Sequence, residues 1–301
     1  MSEEYSRIKV IGALTAGLVA FGFAPIFVRY GQETPSILLA AYRTAFAALL
    51  LFPYWLIKRK EGVKTPADNR WWMVLSGVCL GLHFTLWISS IYYTSVASAS
   101  VLVTVHPIIM ILVERLLFKR NFAAATWVGV VIAFGGSVLL GISDSQTAQD
   151  FPNPLLGNTL ALSAAAVFVV YLLIGQKVRQ QSSWIGYVFP VYFYAALTCI
   201  GLTIAFGISF WDTNLIGLGA AFGMAVGPQI MGHGSMNYAV KYVSPTLLST
   251  LVLVEPLFAT AAAYLFFTEL PPATSFIAMI VILAGVGMTW KRGKRNKPSE
   301  G

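Results

Sequence analysis

Inside the apolar segment 244–267, the run Leu251-Val252-Leu253-Val254-Glu255-Pro256-Leu257 sets a carboxylate directly before a proline. A charged side chain at bilayer depth costs about 2.5–3.5 kcal/mol on insertion scales, so it is usually retained for a reason. An earlier run, Leu102-Val103-Thr104-Val105-His106-Pro107, has the same form with an imidazole in place of the carboxylate. The two runs belong to a longer match: Tyr93–Leu140 aligns without a gap on Tyr242–Thr289, at a constant offset of 149 (242 − 93). Its identities include Ser95/Ser244, Ser100/Ser249, Pro107/Pro256, Phe118/Phe267 and Gly136/Gly285. Apolar composition alone produces some of these, but it does not readily register two prolines and two serine positions without a gap.

The composition says what surrounds the repeat. Of 301 residues, 57% are hydrophobic and 11% charged, with a mean hydropathy of +0.73. A soluble domain carries about 25% charged residues, so a soluble globular class is excluded. A helix needs about 20 apolar residues to cross the hydrocarbon core. Ten segments qualify, near 8–30, 35–57, 71–94, 97–117, 124–142, 154–178, 184–208, 214–238, 244–267 and 272–290. The first is too long for a signal-peptide core and is read as a span. The chain therefore reads as an all-α integral membrane protein of two five-helix halves, 1–150 and 151–301, the second ending in a basic tail. Five is odd, so the second half enters the membrane inverted, as in many secondary transporters.

The net charge of +8 raises the question of nucleic acid, which the positions of the charges answer. Lys58, Arg59, Lys60, Lys64, Arg70, Arg115, Lys119, Arg120, Lys177, Arg179, Lys241 and the tail from Lys291 fall on one side of a ten-span chain, with Arg7 and Lys9. The other side holds Arg29 with Glu33, Asp144, Asp150, Asp212 and Glu269. This is the positive-inside pattern, with both termini cytoplasmic. Trp71, Trp72, Trp184, Trp211 and Trp290 fall near span ends, where aromatic side chains anchor at the interface. No nucleic-acid partner is expected. Cys79 and Cys199 both lie in apolar segments and form no disulfide or metal framework. No nucleotide-binding, zinc-hydrolase or nucleophile-elbow motif is present, so no cofactor, metal or enzyme activity is expected.

The residues open to chemistry are the polar ones at membrane depth. Pro107 and Pro256 kink their helices and lack the N–H that would bind the carbonyls of Val103 and Val252, so each copy offers a titratable side chain beside a freed carbonyl. Backbone freed in this way must find a partner or line a polar cavity. Glu255 and His106 are therefore candidates for a substrate or proton site; the structural alternative is a polar group bonded to a neighbouring helix. In spans 3 and 8, His83 and Trp87 are four apart, as are Gln229 and His233, so each pair shares a helix face. All three histidines lie inside spans, which makes protons a candidate partner beside the small-molecule substrate. Arg43, inside span 2, must pair, snorkel or face a cavity; a gating or structural role is favoured, with Glu255 as one candidate partner. Glu114 is expected to be solvated near a span end, and the glycines at 77, 81, 219, 223 and 227 are expected to serve close helix packing.

With these residues in view, the chain resembles the EamA family of the drug/metabolite transporter superfamily over nearly its whole length. The resemblance rests on Leu253-Val254-Glu255-Pro256-Leu257 followed by Glu269, Gly285 and Gly287, on Tyr92–Ala99, and on Leu39-Ala40-Ala41-Tyr42-Arg43. It implies a plasma membrane carrier (the inner membrane in a bacterium or archaeon) with a central cavity between its halves and alternating access. It also implies small organic solutes, often exported amino acids or other metabolites. The chain departs from the family where Lys119-Arg120 stands in place of a late glutamate in span 4. The expected function is export of an amino-acid-like metabolite, compatible with proton coupling. Uptake or organic-cation and multidrug efflux are alternatives, and a channel or a membrane enzyme is more remote.

Overall fold

The protein's structure, a computed structural model, describes residues 7–62, 69–94, 96–144, 152–267 and 273–293. Lys64, Ser95, Asp150, Glu269 and the basic tail from Lys294, which carry part of the orientation and repeat readings, lie outside the described residues. Every regular element among the described residues is helical. Helices α1 (Arg7–Gly22) and α2 (Ala24–Tyr30) make the first span, followed by α3 (Ser36–Lys60) and α4 (Arg70–Tyr93). Next come the half-helices α5 (Val96–Val103) and α6 (His106–Phe118), then α7 (Ala124–Asp144), α8 (Pro154–Arg179) and α9 (Trp184–Ala205). Helix α10 (Leu215–Met224) runs through a π-helical stretch, Ala225–His233, into α11 (Gly234–Ala239). The half-helices α12 (Pro245–Val252) and α13 (Glu255–Phe267) and finally α14 (Ala273–Gly293) complete the chain.

Eight of these stretches are long and apolar enough to cross a membrane: 7–30, 36–60, 70–93, 98–118, 154–179, 184–205, 215–239 and 245–266. Of the ten spans expected, the other two coincide with shorter apolar stretches in α7 and α14, Ala124–Leu139 and Phe276–Thr289. Local chemistry sets several starts. The side chains of Asn153, Ser183, Asn214 and Ser244 accept hydrogen bonds from Leu156 N, Gly186 N, Gly217 N and Leu247 N. They satisfy backbone donors that a helix leaves open at its first turn.

The helix bounds carry the same offset as the sequence match. Adding 149 to the bounds of α5, α6 and α7 gives the bounds of α12, α13 and α14, from Val96/Pro245 to Asp144/Gly293. Each proline interrupts the regular α-helical bonding, at Thr104-Val105 and Leu253-Val254, while the backbone stays in right-handed helical geometry; the helical run that follows has proline as its second residue. Proline suits that position because its missing N–H would be unsatisfied there anyway.

Packing follows the same two-part scheme. Helix α4 packs on α8, and the span built from α10, the π-helical stretch and α11 packs on α1 and α2. Helix α6 leans on α8, and α13 leans on α1. Helices α3 and α9 pair at the centre, and α7 and α14 pair as a separate seam. Gly77 and Gly81 lie directly against α9: an added Cβ would stand 2.7 Å from Val191 O and 2.8 Å from Ala195 O. Of the glycines at 219, 223 and 227, Gly223 alone is packed, against the Phe27 ring, while the other two face open space. In the seam, a Cβ on Gly129 would lie 2.8 Å from Gly285 O, one on Gly136 3.0 Å from Ala278 O, and one on Gly285 2.4 Å from Ala133 N.

Two charges expected near water are instead buried. Glu114 is fully enclosed, accepting a hydrogen bond from Thr246 Oγ1 at the start of α12 and pairing with Arg120. Arg120 stands at the turn where the family resemblance led one to look for a glutamate. It folds back onto a carboxylate one and a half turns earlier. Arg179 is fully buried too, its Nε donating to Asn237 O at 2.8 Å and its Nη1 to Ser182 O. Glu114–Thr246 ties α6 to α12, which pack together. The corresponding pair under the repeat, α13 and α5, has no comparable contact among the described residues.

Gly285→Val inserts two methyl-bearing branches where even a Cβ meets backbone. Overpacking of this kind costs about 1–3 kcal/mol. The thermal unfolding midpoint of the purified protein in detergent should fall, while Gly287→Ala, at a glycine with open space around it, should leave the midpoint unchanged.

Candidate functional site

The two helix breaks meet at a cavity. Its wall includes Val103, Thr104 and His106 from the first break and Val252 and Glu255 from the second. Phe21 and Ala24 come from the first span, Arg43 from α3, and His83, Phe84 and Trp87 from α4. Phe168 of α8 and Pro228 and His233 of the π-helical stretch complete it. The space open to the centres of water-sized spheres is about 50 Å³. One water needs about 10–15 Å³ on that measure, so the cavity holds several waters or part of a small ligand. The two residues whose carbonyls lack a proline N–H, Val103 and Val252, both lie on this wall, as irregular backbone at membrane depth requires.

The helix starts give the cavity a polarity. Helices α6 and α13 begin at His106 and Glu255, so both of their N-terminal ends face it. A helix N-terminus carries about half a positive charge. In α13 the Glu255 carboxylate sits in the first turn and offsets it. In α6 the same position is an imidazole, and the first-turn N–H groups of Ile108 and Ile109 donate to Val105 O.

Arg43 is 1% exposed and held from two sides. Its Nε donates to Gln229 Oε1 at 3.1 Å, and its guanidinium lies 3.7 Å above the centre of the Phe84 ring. Arg43 Nη1 is buried with no hydrogen-bond partner among the described residues. Arg43 and Glu255 both line the cavity and act on each other electrostatically, without a contact ion pair among the described residues.

The three histidines gather around one ring. His83, His106 and His233 have centroids 5.1, 4.8 and 6.0 Å from that of Phe168, and His83 and His233 are 5.9 Å apart. His83 Nδ1 is 3.0 Å from Ala164 O. A carbonyl can only accept, so Nδ1 carries the hydrogen. His106 Nδ1 and His233 Nδ1 are buried without partners. No group of metal-ligating side chains suited to holding an ion is found among the described residues.

Five of the six residues picked from the sequence for substrate binding, His83, Trp87, His106, His233 and Glu255, share this wall. Gln229 does not. Its amide turns to Arg43, and its carbonyl accepts from Tyr192 OH at 2.6 Å. The four-residue spacing to His233 assumes α-helical winding, but the chain here is π-helical, with a wider turn. Phe21, Phe84 and Phe168 are wall residues that sequence reasoning did not single out. A phenylalanine in an apolar span carries no signal that separates a cavity wall from a lipid face.

The model of the EamA-like transporter family matches residues 8–142 and, a second time, 155–290. Among curated proteins the chain is similar to an uncharacterized transporter, YdfC, of Bacillus subtilis, with 24% identity covering 99% of this chain and 95% of that one. It is similar to human solute carrier family 35 member G1 (24%, 89% and 75%). It is also similar to an S-adenosylmethionine uptake transporter of Rickettsia bellii (23%, 91% and 90%). A solved crystal structure superposes with a TM-score of 0.77 at 16% identity, over 96% of this chain and 99% of its own, and shares the fold.

Gln229→Leu removes the acceptor of Arg43 Nε inside the protein. An unsatisfied buried polar group costs about 1–3 kcal/mol, more when charged. The unfolding midpoint should drop, and Gln229→Glu, which keeps an acceptor, should retain more of the stability.

Proposed function

The chain belongs to the EamA-like transporter family, and we propose that it is a secondary carrier that exports a small amino-acid-like metabolite across the plasma membrane. In this reading ten spans form two inverted halves, divided near residue 150, with both termini in the cytoplasm. The observation that carries the reading is the pair of broken helices, one from each half, whose restart residues His106 and Glu255 face the same cavity. Broken helices at the repeat interface are where such carriers bind their substrates. The double match of the family model supports the two-half plan.

The residues divide the work as follows. Glu255 takes either a proton or the cationic group of the substrate, and that exclusion links outward movement of one to inward movement of the other. The aromatic wall of Phe21, Phe84, Trp87 and Phe168 receives the apolar body. Access alternates as spans 3–4 and 8–9 rock against one another. The closed α6–α12 contact at Glu114–Thr246, open at its α5–α13 counterpart, fits one end state of that movement. Uptake is the second reading, favoured by the Rickettsia relatives named as S-adenosylmethionine uptake transporters. The two directions share the site and differ in the gradient that drives them.

In proteoliposomes, counterflow of radiolabelled amino acids through Glu255→Gln should fall by about tenfold or more, the worth of one charged hydrogen bond, with the protein still folded. Wild-type flux should respond to a pH difference and the mutant's should not. An unchanged rate and an unchanged pH response would remove Glu255 from the mechanism. Thr246→Val should loosen the α6–α12 contact, and a cysteine placed at Thr104 should then react faster with impermeant thiol reagents added on the Arg120 side.

A further inference from the structure

Three imidazoles stand in the wall of the cavity. One of them is anchored by a hydrogen bond: His83 donates from Nδ1 to Ala164 O, 3.0 Å away, so the second nitrogen of the neutral ring is an acceptor. His106 and His233 are 3% and 4% exposed, and the Nδ1 of each is buried with no partner among the described residues. A buried polar group without a hydrogen bond is expensive, and native structures leave few of them. The two rings are nonetheless held in place. His233 stands edge-on to Phe21 and to Phe84, with centroids 4.9 and 4.8 Å away and interplanar angles of 87° and 83°. His106 is tilted by 42° against Phe168, with 4.8 Å between centroids. His83 leans on the same ring at 41°. Packing thus sets the orientation of the imidazoles, and their hydrogen bonds are left open.

We infer that this part of the cavity is a subsite for a planar nitrogen heterocycle, its faces lying on the aromatic rings and its ring nitrogens bonded to His106 and His233. The inference rests on the carrier reading; it specifies the body of the substrate and leaves its charged end aside. An aliphatic body would fill the space without using the ring faces. A phenyl ring would use the faces, since aromatic pairs gain beyond the area they bury, but it would leave both imidazoles without a bond. A flat ring that carries nitrogen meets both demands in one plane. Histidine suits the task because a neutral imidazole offers a donor at one nitrogen and an acceptor at the other, so it serves a pyridine-type nitrogen or a ring N–H alike. A site that hydrogen-bonds a substrate group also rejects the analogue lacking that group. Water is the competing partner, because the cavity has room for several molecules. Matched rings separate the two cases, since a ring nitrogen that only replaces a water bond gains little affinity.

The test compares ring pairs of matched shape on the full-length protein. Phenylalanine is set against pyridylalanine, which has a nitrogen in the ring. Benzothienylalanine is set against tryptophan, which has an N–H in place of the sulfur. Each is titrated for its shift of the thermal unfolding midpoint, then used as a competitor of amino-acid counterflow in proteoliposomes. Cytosine and hypoxanthine, which lack the amino-acid end, are titrated in the midpoint assay. The nitrogen member of each pair should bind about tenfold more tightly than its partner. His106→Phe combined with His233→Phe should remove that preference while phenylalanine still binds; a purely structural role would weaken both members of a pair alike. His233→Gln, which keeps polar atoms in the wall, should retain part of the preference. Equal binding within both pairs on the wild-type protein would overturn the inference and leave the amino-acid carrier standing; that comparison needs no variant to fold. A preference unchanged in the folded double variant would overturn it as well. Binding of cytosine or hypoxanthine with no amino acid bound or moved would uphold the subsite and overturn the amino-acid reading instead. If neither amino acids nor bases bind, both fall.

Discussion

In hydrocarbon, a backbone N–H or C=O without a partner costs several kcal/mol, so a chain may leave helical geometry at membrane depth only where something polar receives it. This chain interrupts its regular α-helical bonding twice, at Thr104-Val105 and Leu253-Val254. The architecture around those breaks follows from the constraint. The breaks must face inward, so they meet. Where they meet there must be a cavity, and the residues that restart the helices line it. One of those residues is an imidazole and the other a carboxylate. The surrounding helices are closely packed, with Gly77 and Gly81 pressed against α9. That packing leaves the cavity as the place where polarity can be concentrated.

The buried charges show two ways of meeting their cost. Arg179 and Glu114 are enclosed and satisfied: one bonds to the backbone at Asn237 and Ser182, the other to Thr246 and Arg120. Charges held this way fix the arrangement of elements. Arg43 is enclosed and incompletely satisfied, and Glu255, on the same cavity wall, is half-buried. Glu114 meets its cost with an ion pair and Arg179 with backbone carbonyls, whereas Arg43 keeps an unpartnered nitrogen beside the cavity.

Much of this was legible in the sequence because period and register are properties of the string. The offset of 149 located both breaks to the residue, since proline and its missing N–H act locally. Eight of the ten apolar segments read from the sequence coincide with helices long enough to cross a membrane, and the other two, in α7 and α14, coincide with shorter apolar stretches. What was not legible depends on partners. Glu114 looked solvated because it lies near a span end, and only the approach of α12 buries it. Gln229 looked like a wall residue because its spacing was read on an α-helix, and the π-helical winding around Pro228 turned its amide elsewhere. Phe168, at the centre of the three histidines, is one phenylalanine among 20.

The seam between α7 and α14 has one more property. Gly129 approaches Gly285, and Gly136 approaches Ala278. Removing the offset of 149 turns 285 into 136 and 278 into 129, so the two contacts are one contact made in both directions. That reciprocity is the mark of an isologous interface, the kind that joins two identical subunits across a twofold axis. Here it lies within a single chain. In the proposed two-half plan, each half carries both faces of this joint, the geometry of a homodimer whose subunits are covalently linked.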